Sequence, residues 1–159
     1  MGATLVGDWG SLAKALASAS RMQQVGAASQ ALEPLAQAIE DNAKARLGQY
    51  QSAIDAFPAW QALAASTQAA RQAAGYTPDD PLLASGALKD AITHTVAADG
   101  LSAEIGIPQG DPTAAAAEAA EVGTATEPQR AFLGPAAYEE LAHVGNYIRP
   151  VIDSVLKKP

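Results

Sequence analysis

Apolar and polar residues alternate on both sides of Asp99-Gly100, and this is the clearest structural pattern in the chain. An Asp-Gly pair favours a type I′ turn, in which both central residues take positive φ. A two-residue loop then sets the register, and all of the paired residues share one face. The predicted pairs are Val96 with Ala103, His94 with Ile105, and Ile92 with Ile107. We therefore predict a hairpin over residues 91–98 and 101–107, which needs a helix or a further strand against its apolar face.

Apolar residues spaced three and four apart predict helices before the hairpin. The first helix follows Asp8 as N-cap; its pattern fades near residues 18–20 and can resume through Met22 and Val25. The second spans residues 28–47 and has Pro34 near its start, where a missing N–H group is tolerated; if the helix begins earlier, Pro34 kinks it. The third runs from Thr67 to Gly75, with Ser66 or Thr67 as its cap. Residues 3–6 have the composition of a short strand.

Two more helices are predicted after the hairpin. Asp111 as N-cap and Pro112 at the first position begin an alanine-rich helix, which Gly123 ends. Pro135 begins the last helix, and Pro150 should break or kink it. The expected apolar stripe of this last helix consists of Tyr138, Leu141, Ala142, Val144 and Ile148.

These elements predict an α+β fold in a single domain, residues 1–159. In this fold the N-terminal helices and a C-terminal helix pack on a small antiparallel sheet that contains the 91–98/101–107 hairpin. Hydrophobic residues make up 48% of the chain, but about a quarter of all residues are alanine and only 5% are aromatic. Because burial energy scales with apolar area, we expect partner subunits to supply burial that the monomer lacks.

The charge balance disfavours several classes of function. The formal net charge is −7, and no basic run is longer than Lys157-Lys158, so a nucleic-acid-binding surface is not expected.

The absence of cysteine excludes disulfides, thiolate nucleophiles and cysteine zinc sites. The first ten residues do not have the pattern of a signal peptide, and no apolar run has the length of a membrane span. We expect a soluble protein that is made in a cytoplasm and does not bind membranes.

Both histidines have a structural and a functional interpretation. His94 on the inner face of the hairpin is expected to be neutral and hydrogen-bonded. His143 follows Glu139 and Glu140 at helical spacing, which suits either a metal site or, more often, a solvated surface. The carboxylates of residues adjacent in sequence do not face each other on a helix, and no nucleophile elbow, Walker loop or dinucleotide fingerprint occurs. We therefore expect no enzyme activity, no catalytic residue, no cofactor and no metal.

Three segments have a pattern in common with a known group of proteins. Residues 60–75 read W-x-x-L-x-x-x-T-x-x-x-R-x-x-x-G, from Trp60 to Gly75. Residues 81–92 read PLLASGALKDAI, with Gly86 and Leu88 at the matching positions. Residues 121–136 read EVGTATEPQRAFLGPA, and the matching residues there are Gly123, Arg130, Phe132 and Leu133. In this order and spacing they resemble the neck and tail-completion proteins of long-tailed bacteriophages, namely the Mu-type virion morphogenesis family and its lambdoid tail-component relatives.

This resemblance implies a structural virion protein that forms a ring, expected to be a homo-hexamer, at the junction of head and tail. The implied partners are other neck, connector and tail-tube proteins, with DNA as a passing and non-specifically contacted cargo. The seven matching residues are then expected to act as subunit-interface or structural residues, with Arg130 paired to a neighbouring carboxylate and Phe132-Leu133 anchoring a loop against the hairpin. Two alternatives are a tail-assembly chaperone absent from the mature virion and a small helical secreted or binding module.

Overall fold

The structure, a computed structural model, describes the backbone of residues 9–156 and the side chains of residues 29–154. The strand predicted over residues 3–6 and the cap at Asp8 lie outside the described residues. Within the described range the chain forms six helices and one two-stranded antiparallel sheet, so the α+β prediction is confirmed.

One long helix replaces the two that were predicted at the N-terminal end. Helix α1 spans Trp9–Arg46, 38 residues, which corresponds to about 57 Å at 1.5 Å per residue. It continues through residues 18–20 and contains Pro34, so the predicted separation is wrong. Proline removes the N–H group that would bond to residue 30. Pro34 and Gln30 are both exposed, so water can satisfy the freed carbonyl.

The chain between α1 and the hairpin has little regular structure. Residues 50–60 contain an isolated bridge between Ile54 and Phe57. Helix α2 spans Ala65–Ala73, and its N-cap Ala64 makes no side-chain cap bond. The predicted cap at Ser66 or Thr67 is wrong, because both residues lie inside the helix. Helix α3, Ala87–Ala91, leads directly into the hairpin.

The hairpin has the predicted register but a different turn. Strand β1 (Thr93–Val96) pairs with β2 (Ala103–Gly106), and the pairs include His94 with Ile105 and Val96 with Ala103. The pair of Ile92 and Ile107 falls just beyond this ladder. Asp99 does not have positive φ, so the type I′ prediction is wrong. Instead, the Gly100 N–H donates to the Ala97 carbonyl at 2.8 Å and closes a longer turn.

A close contact with α1 accompanies this turn. Gly100 has φ +66° and is buried, and a Cβ placed on it would lie 2.4 Å from Cβ of Ser29. A side chain at this position would therefore be strained and would also collide with α1. The turn is thus docked on the helix, and the apolar face of the hairpin packs against α1.

Helix α4 spans Ala114–Val122 and begins later than the sequence predicts. Its N-cap is Thr113, although Asp111 still accepts the Thr113 N–H at 2.8 Å with its carboxylate. The predicted capping chemistry is thus present, one turn ahead of the regular helix. The predicted stop at Gly123 is confirmed: its φ is +75°, and a Cβ there would lie 3.0 Å from the backbone N of Gln129.

The C-terminal region forms two helices rather than one. Helix α5 spans Leu133–Ala142 and helix α6 spans Val144–Leu156, with the break at His143. Pro135 lies in the first turn of α5, which begins at Leu133 and not at the proline. Helix α6 continues through Pro150, so the predicted break is wrong. The predicted apolar stripe is also wrong, since most of it is exposed. The buried residues of α5 are instead Pro135 and Ala136.

The core is centred on the second half of α1. This helix contacts α5, α6 and both strands. The largest fully buried side chains are Phe132, Ile92 and Pro81, and many of the other core positions are alanine. The core cluster consists of Leu35, Ile39, Ala43, Leu47, Trp60, Ile92, Ala117, Ala120, Phe132 and Ala136.

Candidate functional site

The segment that joins α4 to α5, residues 121–134, is held by one carboxylate. The Glu121 side chain accepts the N–H groups of Phe132 at 2.9 Å, Leu133 at 3.0 Å and Gly134 at 2.7 Å. These donors belong to the start of α5, where backbone N–H groups have no partner within the helix. A negative charge is also favoured there by the helix dipole. We call residues 121–134 the α4–α5 junction.

Hydrogen bonds from two side chains tie this junction to the loop after residue 59. The indole Nε1 of Trp60 donates to the Ala131 carbonyl at 3.1 Å, and the ring is buried. The Arg130 guanidinium donates to the Gln61 carbonyl, at 3.3 Å from Nε and 3.0 Å from Nη2. Two of the segments that carry the phage resemblance therefore meet at this point.

The remaining matching residues have structural places inside the chain. The Phe132 side chain is fully buried, and Leu133 packs on the core cluster near Gly106 of β2. Leu88 is half-buried and also packs on the core cluster. Gly86 is the N-cap of α3, with φ +89°. Gly123 ends α4. These observations assign each residue a role within one subunit, while contacts between subunits remain a prediction.

Arg130 is bonded to carbonyl groups rather than to a carboxylate within its own chain. Among the residues that the structure describes, no Asp or Glu carboxylate lies within 4.0 Å of its guanidinium. Arg130 therefore has N–H donors left over, and these can bind the predicted carboxylate if it comes from a neighbouring subunit.

A polar cluster connects α1 with α5 and α6. The buried Arg46 forms an ion pair with Glu139 at 2.6 Å, and the Asn42 amide donates to both Glu139 and Glu140. Tyr147 donates to Glu140 at 2.7 Å. The bonds from Asn42 and then Arg46 lower the pKa of Glu139, and those from Asn42 and Tyr147 lower the pKa of Glu140. An open cleft of roughly 630 Å³ lies over this cluster.

His94 lies between two carboxylates of α1. Its Nδ1 is 2.5 Å from Glu40 Oε2, and its Nε2 is 3.2 Å from Glu33 Oε1. A neutral imidazole can donate from only one nitrogen, whereas the imidazolium donates from both. The hydrogen bond to Glu40 raises the pKa of His94 despite its partial burial. The histidine is hydrogen-bonded as predicted, and its two carboxylate neighbours favour the imidazolium over the expected neutral form.

The Glu40 carboxylate is shared between His94 and Lys44, whose Nζ lies 2.5 Å from Glu40 Oε1. Burial raises the pKa of Glu40, but the bonds to Lys44 and His94 outweigh it, so the pKa is lowered overall. Sequence reasoning placed His94 on the inner face but could not find its partners, which lie 54 and 61 residues away.

The alternative metal site at His143 does not assemble in the structure. Glu139 and Glu140 both turn toward Asn42, while the His143 ring is exposed and its Nδ1 contacts the Glu139 carbonyl at 2.9 Å. Among the side chains of residues 29–154, no group of three His, Asp or Glu residues is placed to hold a metal ion. Across the backbone of residues 9–156, no helix combines the length and apolar character that a bilayer crossing requires.

Comparison of the chain with family models, with curated proteins and with solved structures returned no match.

Proposed function

We propose that this chain is a structural virion protein of a long-tailed bacteriophage that assembles as a ring, a homo-hexamer, at the junction of head and tail. The observation that carries the proposal is the meeting of the matching segments: Trp60 bonds to Ala131, and Arg130 bonds to Gln61. Residues that are far apart in sequence thus pack into one local structure, as expected if the chain shares the fold of the proteins that it resembles.

The distribution of apolar residues supports an assembled state. Large side chains are exposed on α5 and α6 while much of the core is alanine. A monomer that exposes large apolar residues and buries small ones gains stability by covering them with another subunit. The exposed large apolar residues on these two helices are Tyr138 at 49%, Leu141 at 53%, Ile148 at 39% and Ile152 at 46%.

The charge of the chain supports a passive contact with DNA. A net charge of −7 repels phosphates, so DNA would slide through the ring instead of binding to its wall. A ring structure with a basic inner wall would refute this part of the proposal.

The first experiment is mass spectrometry of purified virions of the phage that encodes the chain. We expect the protein in the particle at a few copies per virion, in keeping with a single ring. Absence from the particle but presence in infected cells would favour the assembly chaperone instead. The β1–β2 hairpin already argues against a purely helical secreted or binding module.

The second experiment tests self-association with a matched pair of variants. Light scattering after size exclusion should show an oligomer for the native chain and a smaller species for Leu141→Glu, because a charge at this exposed position opposes burial. Tyr76→Glu, at an exposed residue outside α5 and α6, should leave the oligomer intact. A native chain that is monomeric at every concentration and in every neck complex would contradict the ring.

A further inference from the structure

A cleft of roughly 400 Å³ lies between the start of α2 and the loop that precedes α5. Two arginines line it: Arg71 from α2 and Arg130 from the α4–α5 junction. Apolar walls are formed by Leu63, Leu82 and Pro128. The cleft therefore combines two cationic groups with a short apolar surface, beside the contact of Arg130 with Gln61.

Both guanidinium groups retain donors that the described chain does not use. Arg71 donates from Nη1 to the Asp80 carbonyl, and Arg130 donates from Nε and Nη2 to carbonyls of the 61–62 segment. A guanidinium has five N–H groups, so each arginine has others to offer. Among the described residues neither arginine lies within 4.0 Å of a carboxylate, even though Glu127 also lines the cleft.

We propose that this cleft binds the carboxylate of a short organic group. A guanidinium presents paired N–H donors that match the two oxygens of a carboxylate, which gives strong and directional bonds. Both arginines are half-buried, and lower exposure to water strengthens their attraction for an anion. The apolar walls suit a short carbon chain attached to the carboxylate.

The charge of the molecule restricts the ligand further. The chain carries 17 acidic and 10 basic residues, so a polyanion such as nucleic acid meets overall repulsion. A single carboxylate carries less charge than a polyanion and so meets less of this repulsion, and the two arginines oppose the Glu127 carboxylate that also lines the cleft. Such a group could be free in solution or carried by a second copy of the chain.

The probe for this proposal is butyrate, which has one carboxylate and a short alkyl chain. Titration of the native protein at pH 7 and constant ionic strength, followed by NMR of the arginine Nε–Hε groups, should show saturable shifts for Arg71 and Arg130. Arg71→Gln should weaken the binding at least tenfold, because it removes one cation and its paired donors. Binding that does not saturate, or that is unchanged in Arg71→Gln, would overturn the proposal.

A matched pair of further variants tests the site independently if Arg71→Gln fails to fold. Ala62 is exposed and lines the cleft, so Ala62→Glu places a tethered carboxylate beside the arginines. Ala59 is exposed and does not line the cleft, so Ala59→Glu adds the same charge elsewhere. Loss of butyrate binding in Ala62→Glu alone supports the site. Equal loss in both variants, or in neither, would count against it.

Sedimentation of the native protein with and without butyrate measures its oligomeric state and so identifies the source of the carboxylate. Dissociation of an oligomer by saturating butyrate identifies a carboxylate of a second copy as the occupant. An unchanged oligomeric state together with saturable binding identifies a free carboxylate. Both results support the cleft, and the ring proposal is judged separately by the Leu141→Glu experiment.

Discussion

The Glu121 carboxylate stabilises a helix that begins twelve residues further along the chain. It supplies the acceptor for backbone N–H groups that an isolated α5 would leave unpaired. Sequence reasoning identified Gly123, Arg130 and Phe132 in this region, but it passed over Glu121. A cap supplied by another helix has no local pattern, because the usual capping signal compares residues only three positions apart.

Replacement of Glu121 by alanine should lower the free energy of unfolding by about 2 kcal/mol, since buried donors at a helix start lose their partner. Urea denaturation measures the loss. Glu118→Ala is the matched control, because this exposed glutamate lies on the same helix. Equal stability losses in the two variants would show that Glu121 contributes nothing as a cap.

His94 gives the protein a stability that depends on pH. Its raised pKa means that the stabilising charge is fully present below about pH 6.5, the ordinary value, and is lost as the pH rises through the raised pKa. Glu40 acts in the opposite direction because its pKa is lowered. The stabilising contribution of its negative charge is fully present above pH 4.5, the ordinary value, and is lost as the pH falls through the lowered pKa. The contribution of the pair is thus greatest between these two limits.

We expect the unfolding free energy of the native chain to fall between pH 6.5 and pH 9 by more than that of His94→Gln, in which the imidazolium is absent. Urea titrations at several pH values measure the difference. His143→Gln, which changes an exposed histidine, serves as the control and should keep the native pH dependence. Parallel pH profiles for the native chain and His94→Gln would contradict the assignment of an imidazolium.

At the scale of the elements, local pattern predicted the hairpin better than it predicted the helices. Alternation determines which residues of a strand share a face, and this information is contained in a few neighbouring residues. The turn type was wrong because Asp99 does not have positive φ, and the contact of Gly100 with Ser29, far away in sequence, was not foreseen. Pro34 was expected near a helix start or at a kink, and Pro150 at a break or a kink, and α1 and α6 continue through both residues.

Gly100→Ala should destabilise the protein more than Gly110→Ala, by about 2 kcal/mol, because an extra methyl group is costly in a packed contact. Both glycines have positive φ, but a Cβ at Gly100 collides with Ser29 whereas a Cβ at Gly110 meets nothing within 4 Å. The comparison therefore separates the packing cost from the backbone strain. Urea denaturation measures both losses, and equal values would indicate that the turn is not docked on α1.

At the scale of the whole molecule, the sequence predicted the α+β class but not the way in which α5 packs. The stripe with Tyr138 and Leu141 was expected inside because large apolar residues usually define the buried face of a helix. The side of α5 that is buried instead contains Ala136, while Tyr138 and Leu141 remain exposed. Periodicity predicts that the most hydrophobic face of a helix is buried. In this fold the buried face of α5 is instead the one with small side chains, which allow close packing against α1.

The buried alanines limit how this protein can change over time. Ala36, Ala43 and Ala136 are almost completely enclosed, with exposures of 1%, 0% and 0%. A larger residue at any of them must push helices apart, and glycine would loosen a helix interior. We infer that related sequences conserve alanine at these three positions more strictly than they conserve the large apolar residues of the exposed face, so a search for distant relatives gains more from these small residues than from the aromatic ones.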